Sequence, residues 1–123
     1  MPNETPLDLP RLIERIRGFV KERDWEQFHT PKNLAMALAA EGGELLEVFQ
    51  WLTEEEARRV MSDERKAAAV RDELSDIFVY LLRIADVLEV DLATAVERKL
   101  ERNAEKYPVA LSRGSARKYT ELA

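Results

Sequence analysis

Apolar positions along the chain recur at three- and four-residue spacing, the period of an α-helix, and nowhere alternate with period two over a useful length. Leu12, Ile13, Ile16, Phe19 and Val20 form one such face and predict a helix from about Leu9 to Asp24. Thr30 as N-cap and Pro31 at the first helical position open a second helix, where the missing N–H of proline costs nothing. Its seam runs through Leu34, Leu38, Leu45, Val48 and Leu52. Thr53 and Glu56 have the spacing of a capping box and begin a short helix. Ser62 or Asp63 caps the next, which runs to about Leu88 on a seam of Val70, Leu74, Ile77, Leu81, Ile84 and Leu88. The last helix follows Asp91 and stops at Tyr107, because Pro108 cannot continue it. Residues 108–123 have no helical period and read as an extended tail, and residues 1–8 read likewise. The expectation is an all-α, antiparallel four-helix-type bundle with one short extra helix, a single domain over residues 1–123. From Ile77 to Leu82 the chain is apolar right around its helix, so an oligomer is expected, although a central helix within one chain would give the same pattern.

Composition narrows the chemistry. Ala, Leu, Glu, Lys and Arg supply 67 of the 123 residues, which favours helix before any pattern is read. There is no cysteine, so disulfides, Cys-ligated zinc, iron–sulfur centres and a thiol nucleophile are excluded. One histidine leaves no His-rich metal site and argues against a Ser-His-Asp triad. The apolar stretches fall far short of the ~18 residues of a membrane span. The MPNETPLD start lacks the basic and apolar regions of a secretory signal. A soluble cytoplasmic protein without a membrane partner is expected. The net charge of −5 disfavours nucleic acid as the main partner.

Within the second helix the seam is broken at Glu41, and Glu44 shares that face three residues on. Gly42 and Gly43 lie between them, each costing about 1 kcal/mol in a helix interior relative to Ala. Rules of local structure tend to break where function demands it. Glu73 and Asp76 repeat the three-residue spacing beside the seam of the long fourth helix, with Tyr80 one turn further. Two such pairs can converge across a bundle interior, where repulsion and desolvation raise carboxyl pKa values unless a hard divalent cation such as Mg²⁺ intervenes. The plainer alternative is that these acids are solvated or paired with Arg65, Lys66 or Arg71.

Charge is also segregated. From Glu41 to Asp76 there are 11 acids against 5 bases, and from Arg98 to Lys118 there are 7 bases against 2 acids. Lys99, Asn103 and Tyr107 recur at four-residue spacing along one face of the last helix. An acidic metal site beside a basic strip suits a polyphosphate, while a solvated basic helix C-terminus, favoured by the macrodipole, explains the strip alone. Trp25, Glu26, Gln27, Phe28 and His29 form an aromatic connection between the first two helices, with Trp51 near the end of the second. Their rings and polar groups can stack on and bond a nucleobase, or simply close the bundle end with Trp25 in the core.

Taken together, EGGE at 41–44 and ELSD at 73–76 resemble the MazG-like all-α nucleoside triphosphate pyrophosphohydrolases. RDWEQFH at 23–29, GELLEVFQW at 43–51, ELSDIFVYL at 73–81 and YPVALSRGSARKYTEL at 107–122 are similar to the dCTP pyrophosphatase subfamily. The resemblance implies Mg²⁺-dependent cleavage of dCTP to dCMP and pyrophosphate in a homotetramer, with Mn²⁺ as a substitute ion. It implies metal ligation and catalysis by Glu41, Glu44, Glu73 and Asp76. Substrate contacts would come from Trp25 through His29, Trp51 and Tyr80, and triphosphate contacts from Lys99, Asn103 and Tyr107. Ile16 departs from the pattern, standing where vertebrate members carry a base-side histidine, which bears on selectivity toward 5-modified cytosines. A broader house-cleaning triphosphate hydrolase and a non-catalytic, metal-binding helical adaptor are the competing readings.

Overall fold

The computed structural model describes residues 4–122, and every ordered element among them is helical. Helix α1 spans Leu9–Glu22, α2 Pro31–Phe49, α3 Glu54–Arg58, α4 Glu64–Val87, α5 Leu92–Lys106 and α6 Val109–Ser112. Short 3₁₀ turns lie at Glu26–Phe28, Val60–Ser62 and Tyr119–Glu121. None of the described helices is long and apolar enough to cross a membrane.

The helix starts follow from their caps. Asp8, Thr30, Thr53, Asp63 and Asp91 each accept a backbone N–H of the first turn, satisfying donors that the helix itself leaves free. At Thr53 the bond is reciprocal, since Glu56 Oε1 accepts the Thr53 N–H at 2.9 Å while Thr53 Oγ1 accepts the Glu56 N–H at 3.1 Å. Helix α1 ends in a Schellman motif: Trp25 N–H donates to Val20 O, Asp24 N–H donates to Lys21 O, and Asp24 takes φ +53°. The Trp25 ring then meets Phe19 edge-on at 5.7 Å, the hydrophobic contact that accompanies this motif.

Two compact units meet in sequence between Glu89 and Val90, and each is described by itself. In the first, α4 packs on both α1 and α2. The core joins Val20 of α1, Leu34 of α2, Val60, and Ala67, Val70, Leu82 and Ala85 of α4. Helices α2 and α4 run antiparallel, since His29 just before α2 meets Arg83 late in α4 while Glu41 meets Glu73. The α2 seam is as its pattern predicts: Leu34 is buried and Leu38, Glu41, Leu45, Val48 and Leu52 are half-buried in turn.

Two expectations need correction. Leu74, Leu81 and Leu88 do not face the core of the chain; they are 52%, 37% and 53% exposed. Of the expected seam Val70 is buried and Ile77 and Ile84 are half-buried, and Ala67, Leu82 and Ala85 complete the buried row of α4. The region after Pro108 is not an extended tail throughout: α6 and the 3₁₀ turn at Tyr119–Glu121 lie within it. Both are single turns, too short to show a period. Within this second unit the Tyr119 ring meets Tyr107 edge-on at 6.0 Å, and Lys106 Nζ lies 4.9 Å over it.

Candidate active site

The broken seam of α2 meets the acidic turn of α4. Oxygen atoms of Glu41, Glu73 and Asp76 lie within 4.8 Å of one another, with Glu41 and Glu73 half-buried and Asp76 exposed. Each of the two glutamates holds one buried oxygen, Oε2, without a hydrogen-bond partner. An orphaned buried oxygen is costly, and two facing each other make an oxygen-rich cradle suited to a hard cation. Glu44, exposed at the rim, faces the same pair.

The electrostatics of the four acids follow. The Glu41 carboxyl beside it, burial and the Glu44 charge together push Glu73 up to about 7. The neighbouring Glu73 carboxyl holds Glu41 down, but burial and the charges of Glu44 and Asp76 outweigh it and leave Glu41 above the usual carboxylate range. Crowding of like charge therefore raises both carboxyls above their ordinary range. None of the salt bridges among the described residues joins this cluster to Arg65, Lys66 or Arg71, and Lys66 pairs with Asp63 instead.

Beside the cluster opens a cavity of about 500 Å³. Asp76 belongs to its wall as well as to the acid group, so the two features adjoin. Phe19, Trp25, His29, Phe78 and Tyr80 supply its aromatic lining, and Leu12, Ile16 and Leu82 its aliphatic lining. Trp25 leans toward His29 with ring centroids 6.5 Å apart. Such an apolar chamber with a few polar groups is the usual form of a small-molecule site.

Not every residue singled out from the sequence lines this chamber. Glu26 faces a separate cleft with Glu14, Arg17 and Lys21. Gln27 turns back, its Nε2 donating to the carbonyl and side chain of Asp24. Phe28 and Trp51 are 58% and 86% exposed and lie outside the cavity. Lys99, Asn103 and Tyr107 stand in the second unit, where Asn103 is half-buried and its carbonyl accepts the Tyr107 N–H at 2.9 Å. Sequence reasoning missed Arg15 and Arg83 on the cavity wall. The only available signal for Arg83 was a single basic residue set inside the apolar run from Ile77 to Val87.

The sequence profile of the MazG-like family matches residues 36–122, and the chain belongs to that family. It is 53% identical over 111 residues to dCTP pyrophosphatase 1 of Bos taurus, covering 89% of this chain and 66% of that one. To dCTP pyrophosphatase 1 of Homo sapiens it is 47% identical over 121 residues, covering 98% of this chain and 69% of that one. The chain thus spans just under two thirds of the bovine protein and slightly more of the human one. Among solved structures, a pyrophosphatase from Archaeoglobus fulgidus is similar at a TM-score of 0.77 and 39% identity, covering 86% of this chain and 97% of that one.

Proposed function

We propose that the protein hydrolyses dCTP to dCMP and pyrophosphate, with Mg²⁺ held by Glu41, Glu44, Glu73 and Asp76 and Mn²⁺ as a substitute ion. The observation that carries this reading is Asp76, shared by the acid cluster and the aromatic cavity. A nucleotide whose base enters the cavity would bring its phosphates to the acids through a bound cation. The bovine and human relatives are dCTP pyrophosphatases, and their matches cover most of this chain.

Bound there, Mg²⁺ would neutralise phosphate charge and lower the pKa of water. The chain's own contribution is positional. Trp25, His29 and Tyr80 hold the base from the cavity wall. A free carboxylate oxygen of Glu44 or Glu73 accepts the proton of the attacking water. The water oxygen forms a new P–O bond as the α–β bridge breaks, leaving the monophosphate and pyrophosphate. The protein acts in the cytoplasm as a homotetramer, in keeping with a cysteine-free chain whose α4 is apolar on both sides.

The test is a phosphate-release assay with and without added inorganic pyrophosphatase. Phosphate from dCTP should appear only with the coupling enzyme and only with a divalent cation. Direct release of orthophosphate, or no turnover of dCTP, would sink the reading.

A further inference from the structure

Arg83 has no part in the reaction as written, yet it is the one charged residue buried among the described residues, 9% exposed. A guanidinium tolerates burial only when paired and hydrogen-bonded. Asp86, one turn along α4, supplies the counter-charge, with Arg83 Nη1 at 3.5 Å from its Oδ2. Arg17 of α1 grips the same carboxylate through Nε at 2.7 Å and Nη2 at 2.5 Å. A different donor of Arg83 turns the other way: Arg83 Nε–H donates to Nδ1 of His29 at 3.1 Å.

A guanidinium is a donor only, so His29 Nδ1 must present a lone pair. A neutral imidazole accepting at Nδ1 carries its proton on Nε2. We propose that Arg83 is a positioning residue that fixes His29 as the Nε2–H tautomer, which makes the cavity wall a hydrogen-bond donor to a ring-nitrogen or carbonyl acceptor of the bound base. This rests on the reading of the cavity as the base site.

The surroundings agree. The charged groups around the ring and its partner are Glu14, Arg15, Arg17 and Lys21 from α1, Glu26 from the 3₁₀ turn, and Asp76, Arg83 and Asp86 from α4. Asp86 is engaged by the two arginines rather than by the imidazole. Burial, and then the positive charge of Arg83, hold the His29 pKa below the ordinary value of 6.5. An imidazolium would set two N–H donors against each other across that contact.

The chain has a single histidine, so ring ¹⁵N NMR reads this tautomer without overlap. In the nucleotide-free parent, Nδ1 should be unprotonated and Nε2 protonated at neutral pH. A proton on Nδ1, in either the other tautomer or the imidazolium, overturns the proposal with no variant needed. Arg83→Met should release the ring into a mixture of tautomers and raise KM for dCTP about tenfold, with kcat within about twofold. In a His29→Gln background, where an amide N–H replaces the ring donor, Arg83→Met should change KM by less than about twofold. Equal effects of Arg83→Met in both backgrounds would make Arg83 a packing residue and overturn the inference. A parent with the expected ring spectrum but no dCTP turnover would overturn the base-site reading and leave the tautomer assignment standing.

Discussion

The residue that best exposes the chemistry of the site is Glu73. Its buried Oε2 lacks a partner, and its pKa stands at about 7 because Glu41, burial and Glu44 all oppose its charge. The folded chain therefore keeps a proton that the unfolded chain, with a Glu value of 4.5, gives up earlier. Metal-free stability from this proton is complete below pH 4.5 and is lost as pH rises through about 7. Glu73→Gln keeps the shape, removes the charge and offers an amide N–H to Glu41. In EDTA its melting temperature should equal or exceed that of the parent and lose the decline across that pH range. Activity should fall at least ~100-fold, as expected when charge stabilisation at a reacting phosphate is removed. A destabilised Glu73→Gln with parental turnover would remove this residue from the site. Glu41 was legible in the sequence because an acid interrupts an otherwise apolar seam. Arg83 was not, because a lone basic residue on a helix normally means solvent, and only the tertiary contact with His29 gives it another meaning.

At the scale of the elements, capped helix starts were readable to within a residue, and the helices α1, α4 and α5 end one or two residues before the expected position. Caps such as Thr30 and the Thr53–Glu56 box act through local geometry that sequence records directly. Single turns such as α6 carry no period to read. Helix ends also differ in how well sequence suits backbone. Asp24 and Glu89 both take positive φ, +53° and +57°, where glycine is usual. At Asp24 the side chain compensates by accepting from Gln27 Nε2 at 3.2 Å. Among the described residues Glu89 has no such bond, although its N–H donates to Asp86 O. Glu89→Gly should stabilise the protein by about 0.5–1 kcal/mol, even after the larger freedom of glycine in the unfolded chain is counted. Urea denaturation would show a higher midpoint at an unchanged slope. A midpoint at or below that of the parent would mean that Glu89 makes a stabilising contact by its side chain.

For the whole molecule, the apolar surface left on α4 and α2 is the main fact to explain. Leu74, Val79 and Leu81 on α4, Leu88 at its C-cap, and Met36, Leu46 and Trp51 at or near α2 are all more than a third exposed. Sequence indicated this surplus through the all-round apolar stretch from Ile77, but periodicity could not say which side the chain covers itself. Patches of this kind on a folded chain mark contact surfaces. Sedimentation at micromolar concentration should show a species about four times 14.2 kDa. An active monomer there would contradict the proposed assembly. The glycine pair in α2 belongs to the same picture: among the described residues a Cβ on Gly42 or Gly43 would meet nothing within 4 Å, so their packing does not require either glycine. The exposed side of α4 also has a consequence for anyone who dilutes the protein. If subunits complete one another's hydrophobic cover, folding is linked by mass action to subunit concentration. Specific activity, ordinarily constant per milligram, would then fall as a stock is taken toward nanomolar and recover on reconcentration. The melting temperature would climb with the amount of protein loaded.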